Sequence, residues 1–201
     1  MSVVFERTSQ EGCADKGRIT KGERTRDAIA EAAIHILYNE GYQALNVAAL
    51  AEEAGLQRNS YYTHFKDLNA LIDTLSVQLL NEIGRNTPPV SAPRKKATSL
   101  LISRLRLVLS LRESDPVIAG VLPELYVNHN ETARKIHYGL VSDIVVDRRR
   151  GLLRATKREA EVAALMIAPS VMEFLRDRQG SKAGDDRILL SLLSRVIGLS
   201  D

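Results

Sequence analysis

The 201-residue sequence predicts an all-α protein. Three observations carry this. Apolar residues recur at i, i+3, i+4 and i+7 in segment after segment, the period of one buried helix face. The segments begin at Asn, Asp, Thr or Asp-Pro and end at Gly or Pro, the start and stop chemistry of helices. Aromatics make up only 4% of residues, with no Trp, while Ala and Leu are abundant, as suits closely packed helices. The length accommodates one large or two small domains with a real core.

The first helix is read from the Ile29, Ala32, Ala33 and Leu37 face and ends at the Gly41-Tyr42 break. Asn46 is an N-cap, because its side-chain oxygen can accept from a free backbone N–H. Val47, Leu50, Ala51 and Ala54 then form one apolar face, with Glu52 and Glu53 outside it. Gly55 supplies the left-handed residue that closes a helix, and Leu56 plugs the turn. A short helix follows from Arg58 to Phe65, in which Tyr61 and Phe65 share the buried side. Helix, glycine turn and helix is the helix-turn-helix pattern.

The outward residues of the second helix suit DNA. Arg58 and Asn59 can bond base edges in a bidentate manner, and Ser60 and Thr63 can bond bases or phosphates. Tyr62, His64 and Lys66 can donate to phosphate oxygens, which sets register without reading sequence. Taken singly, each is an ordinary solvated side chain; the case rests on their grouping after a capped helix and a glycine turn. Net charge is only +3, so the chain is no polycation. Its positive charge is local: residues 16–26 hold five bases against Glu23, whereas residues 27–66 hold two bases against five acids. Lys21 and Arg24 are therefore expected near the phosphate backbone. Residues 1–18 read as a flexible tail, 19–66 as the DNA-binding domain, and 67–201 as a C-terminal helical domain opened by a connecting helix over 67–84.

Residues from about Thr25 to Leu75 resemble the N-terminal domain of the TetR family of bacterial transcriptional regulators. The resemblance lies in the Leu50–Leu56 run and above all in Ser60-Tyr61-Tyr62-Thr63-His64-Phe65-Lys66-Asp67 followed by Leu71. It implies that Tyr62 and Lys66 hold phosphates, that Arg58, Asn59, Ser60 and Thr63 face bases, and that His64 sits near the backbone. Asn46 and Val47 open the supporting helix and join the candidate DNA contacts. Two residues depart from the family pattern. Val47 stands where Thr or Ser is common, and Gln57 stands where Ser commonly caps the recognition helix.

The remaining chain continues helical. Asp67 can cap a helix striped by Leu68, Leu71, Ile72, Leu75, Leu79 and Ile83. Three prolines between Thr87 and Pro93 end it. Further helices are expected at about Lys95–Arg112, from Ser114-Asp115-Pro116 to His129 with a kink or split at Pro123, and at Glu131–Arg150. The Thr156–Glu159 capping box opens a helix to about Gln179, kinked at Pro169. Asp185 then caps a last helix in which Ile188, Leu189, Leu192, Leu193 and Val196 form an apolar stripe. That stripe either packs within its own domain or forms a dimer seam. The resemblance implies the seam, since the family's last two long helices usually pair with their copies. Two half-sites one DNA turn apart also favour a homodimer.

The resemblance further implies a small-molecule effector in the C-terminal domain, acting by differential affinity for two states. Candidate pocket residues are Leu105, Leu109, Leu122, Tyr126, His129, Tyr138, Met166 and Ser170. Tyr126, Tyr138 and Phe174 are the aromatics of residues 85–201, which favours an aliphatic ligand over a flat aromatic one.

No cofactor or metal is expected: His129 and His137 lack the Cys or carboxylate partners of a metal site. Nucleotide-binding Gly-rich loops, Cys-x-x-Cys, HExxH and Ser-centred elbows are missing from the sequence, so an enzyme is not expected. Cys13 is the single cysteine and no apolar run approaches about 18 residues, so the reading is a soluble cytoplasmic protein that does not enter membranes. The expected function is a dimeric repressor that binds a palindromic operator and is released by a ligand. The alternative is a helical DNA-binding or protein-interaction module without ligand control.

Overall fold

The computed structural model describes residues 20–86, 99–177 and 184–196. Among these residues the secondary structure is wholly helical: nine α-helices and one short 3-10 turn. The chain divides into two compact units, one ending at Leu71 and the other beginning at Ile72. The division falls within the helix that begins at Leu68.

The first unit holds α1 (Lys21–Asn39), the 3-10 turn Tyr42–Ala44, α2 (Val47–Glu53) and α3 (Arg58–His64). Helix α1 starts on a reciprocal capping box that the sequence reading missed. Thr20 Oγ1 accepts from the Glu23 N–H at 3.2 Å, and the Thr20 N–H donates to Glu23 Oε2 at 2.8 Å. The Thr-x-x-Glu spacing was there to be read. Ile29, Ala32, Ala33 and Leu37 are buried as expected, joined by Ile36 and Leu50.

In the second unit lie most of α4 (Leu68–Arg85) and all of α5 (Leu100–Ser114), α6 (Pro116–Asn128), α7 (Asn130–Arg149), α8 (Lys157–Arg176) and α9 (Asp185–Val196). Helix α7 packs most extensively on α8, and α6 packs on both. Leu71 closes the first unit's core, whereas Ile72, Leu75, Leu79 and Ile83 of the same helix are buried in the second.

Several boundaries differ from expectation for identifiable reasons. Helix α5 is capped at Ser99, whose Oγ accepts from the Ile102 N–H, so the described helix starts after the expected Lys95. Pro123 does not split α6 and Pro169 does not interrupt α8; each helix runs continuously past its proline. Asp115 caps α6, with Pro116 in the first turn, where its missing N–H costs nothing. His129 both ends α6 and caps α7, accepting from the Thr132 N–H. Asp185 lies in the first turn of α9 rather than ahead of it, and Gly184 precedes it with φ +100°. Gln179, Gly180 and Cys13 lie outside the described residues.

Candidate nucleic-acid interface and buried cavity

Helix α2 is held at both ends by short-range bonds. Asn46 Oδ1 accepts from the N–H groups of Ala48 and Ala49, each at 3.0 Å. At the other end Gly55 has φ +65°; its N–H reaches the Glu52 carbonyl, and the Leu56 N–H reaches the Ala51 carbonyl at 2.8 Å. This pair of bonds is the Schellman closure, which turns the chain sharply while satisfying helix-end carbonyls. Helix α3 therefore starts at a defined angle.

The inner face of α3 is made by Tyr61 and the Phe65 that follows it, 1% and 3% exposed. Tyr61 Oη donates to the Asp67 carbonyl at 3.0 Å, and burial pushes its phenol up to about 12. With that face anchored, Arg58, Asn59, Tyr62, Thr63 and Lys66 are exposed, while Ser60 and His64 are half-buried. Tyr62 is 58% exposed. It stands edge-on to Tyr61, with ring centroids 5.5 Å apart. Gln57 makes no side-chain capping bond, so the departure read from the sequence leaves the α3 start without that support.

The start of α1 borders this surface. A Cβ on Gly22 would lie 3.7 Å from His64 Cε1, so the His64 ring sits beside the first turn of α1. Lys21 and Arg24 are exposed on that turn. Arg26 instead stacks over the Phe65 ring, 5.1 Å from its centroid, an anchoring role the sequence did not suggest. Val47 is half-buried at the head of α2. Glu53 is turned toward α1, its Oε1 2.8 Å from His35 Nδ1.

The fold of this unit and its exposed polar helix meet a family model described as bacterial regulatory proteins, tetR family, over residues 29–75. Residues 29–75 carry the N-terminal domain of the tetR family. The chain's similarity to the class C tetracycline repressor of Escherichia coli is 29% identity over 49% of this chain and 46% of that protein. To the class D repressor of the same organism it is 33% over 27% of this chain and 25% of that one. The matches thus span half or less of these curated relatives. Solved structures extend the likeness in fold alone. A putative TetR-family regulator from Rhodococcus sp. aligns with TM-score 0.64 at 19% identity, over 87% of this chain and 98% of that one. RolR in complex with resorcinol aligns with TM-score 0.61 at 16% identity, over 91% and 92%. The multidrug binding protein EbrR complexed with imidazole gives 0.64 at 18%, over 88% and 96%.

The second unit encloses a cavity of about 260 Å³. Its walls come from α4 (Leu80, Ile83), α5 (Arg104, Leu105, Val108), α6 (Leu122), α7 (Lys135, Gly139, Leu140) and α8 (Ile167, Val171, Met172). Of the pocket residues expected from sequence, Leu105 and Leu122 line it. Leu109 is buried outside the lining. Tyr126 instead shares a 2.9 Å hydrogen bond with His137, whose imidazole burial holds below its usual range. His129 belongs to a buried bond with Thr132 at 2.8 Å, and Thr132 in turn meets Ser76 of α4 at 2.6 Å. Tyr138, Met166 and Ser170 face solvent, because helical periodicity carries them off the wall that Ile136, Ile167 and Val171 form.

Sequence reasoning missed Arg104 and Lys135, the charged residues of the cavity wall. Arg104 Nη1 lies 3.0 Å from Asp143 Oδ2, and burial raises the Asp143 carboxyl to about 6 against the pull of that guanidinium. Helical spacing placed Arg104 and Asp143 on separate helices, and nothing local marked them as partners.

Of the stripe on α9, Ile188 and Leu192 are 60% and 53% exposed, Leu189 is half-buried, and Leu193 packs inside the unit. The Val196 side chain lies outside the described residues. Helix α8 adds Val162, Leu165 and Met166, also exposed. No described helix is long and apolar enough to cross a membrane. Among the described residues no group of three or more His, Cys, Asp or Glu is placed to hold a metal ion.

Proposed function

We propose that the chain is a transcriptional repressor that binds a palindromic operator as a homodimer and lets go when a small molecule enters the α4–α8 cavity. One observation carries the reading: α3 buries Tyr61 and Phe65 while exposing Arg58, Asn59, Tyr62, Thr63 and Lys66 together. A rigid helix with an anchored back and a polar, cationic front fits the major groove, where Arg and Asn read base edges and Tyr and Lys hold phosphates. Asn46, Val47, Ser60, His64, Lys21 and Arg24 complete the contact set. Cytoplasmic action follows from the DNA partner, and the role is regulation rather than catalysis.

Dimerisation is supported by the exposed apolar side chains of α8 and α9, five large residues without cover in the single chain. Such a surface is what a seam between copies requires. Effector control is supported by α4, which runs from the first unit into the second and forms part of the cavity wall there. An occupant that prefers one setting of α4 shifts the population of DNA-competent dimers by its differential affinity. Residues 19–66 are accordingly the reader, 67–84 the connecting lever and the remainder the regulatory and dimerisation part.

Selection of bound sequences from random double-stranded DNA tests the reading. The expected product is an inverted repeat whose half-sites lie about one helical turn apart. Recovery of no sequence preference, or of single half-sites, would overturn it. Sedimentation at micromolar concentration should give a dimer; a monomer defeats the seam.

A further inference from the structure

The cavity is apolar except at one place. Arg104 and Lys135 line it, and no acidic residue does. Both cations flank Gly139. A Cβ there would stand 3.7 Å from Arg104 Nη1, and Lys135 lies one helical turn earlier on the same face of α7. A surface groove bearing the exposed Tyr138 shares Leu80, Lys135 and Gly139 with the cavity, so the two meet at this point. The cations therefore stand at a mouth.

Their existing partners do not saturate them. Arg104 Nη1 lies 3.0 Å from Asp143 Oδ2, but neither that oxygen nor Arg104 Nε has a hydrogen-bond partner, and both atoms are buried. Lys135 is held loosely, 3.4 Å from Asp73 and 3.9 Å from Glu131. A guanidinium binds a planar carboxylate through adjacent N–H groups, and an ammonium adds a mobile point charge beside it. With Asp143 already opposite Arg104, the site suits one negative charge rather than a phosphate's two. The body of the cavity is aliphatic, without an aromatic ring in its wall. Scaled from a 150 Å³ cavity that holds benzene, the space takes roughly ten non-hydrogen atoms.

We propose that the cavity binds an aliphatic monocarboxylate of medium-chain length, its tail among Leu105, Leu122 and Ile167 and its carboxylate at the Gly139 mouth on the Arg104 guanidinium and Lys135 Nζ. This rests on the reading of the cavity as the effector site and names the ligand class of that site.

Calorimetric titration of the full chain with octanoate and with 1-octanol, near-isosteres differing in charge, tests it. Octanoate is expected to bind at least tenfold more tightly than octanol. Arg104→Lys keeps a cation opposite Asp143 but lacks the planar guanidinium, and should weaken octanoate at least several-fold while leaving octanol unchanged. Lys135→Gln, on a partly exposed side chain, should weaken octanoate several-fold and serves if Arg104→Lys fails to fold. Equal binding of both probes would overturn the carboxylate assignment and leave the cavity reading standing. Binding of neither at millimolar concentration would overturn both.

Discussion

The two units hold their polar groups in opposite ways. In the first, the structural hydrogen bonds are nearly all local: Thr20 with Glu23, Asn46 with Ala48 and Ala49, Tyr61 with Asp67. Each joins residues at most six apart and lies at or near the surface. In the second, buried polar side chains pair across the chain. Ser99 Oγ donates to Asp147 at 2.6 Å, Ser76 meets Thr132, and Arg104 meets Asp143. Asp147 is fully buried and also accepts the N–H groups of Leu100 and Leu101, so α7 supplies the cap that the start of α5 needs. A reading head built from local caps keeps its shape without help from distant residues. A domain whose helices are tied by buried long-range pairs has a few points at which a perturbation is felt throughout.

If that contrast is right, the largest stability loss anywhere in the chain should come from Asp147→Ala. It strands three buried donors and is expected to cost about 3–5 kcal/mol in urea unfolding. A loss below about 1 kcal/mol would break the comparison.

Next is the pH response of Asp143. Its folded carboxyl is raised from 3.8 to about 6, chiefly by burial. Between those values the native state holds a proton that the unfolded chain releases. Stability should therefore fall as pH rises through this window, by about 1.4 kcal/mol per pH unit at most, and level off above it. Asp143→Asn should abolish that slope; an unchanged slope would place the titration elsewhere.

On the reading head the effects concern binding. Arg58→Ala should cost about 1–3 kcal/mol and relax preference at one base position. Lys66→Ala should weaken all sequences alike and reduce the salt slope by about one unit. Uniform losses in both variants, measured by mobility shift over a salt series, would show that the roles are misassigned. Smallest are the caps: Asn46→Ala should destabilise the first unit by about 1 kcal/mol, and Gln57→Ser should stabilise it by about 0.5–1 kcal/mol.

The contrast also accounts for what could be read in the sequence. Asn46, Gly55, Tyr61, Phe65, Asp67 and the Thr156 capping box act on neighbours within a turn or two, so their roles were visible in the string of letters. The Thr20–Glu23 box is equally local and equally visible in the sequence. Met166, Ser170 and Tyr138 were expected in the pocket and lie on solvent-facing sides, because helical period tells which residues share a face but not which neighbour that face meets. Pro123 and Pro169 were expected to disturb their helices. Both helices run on past their prolines without a break.

By itself the sequence determined the all-helical class, the helix-turn-helix with its exposed polar face, and most helix starts, since these depend on period and on caps a few residues apart. Tertiary structure alone decided that Asp147 caps α5, that Arg104 and Lys135 flank one mouth of the cavity, and that Ile188 and Leu192 stay uncovered while Leu193 is buried. Those facts depend on which helices lie side by side. That is set by the sum of many weak apolar contacts over the whole unit, and no short stretch of sequence carries it.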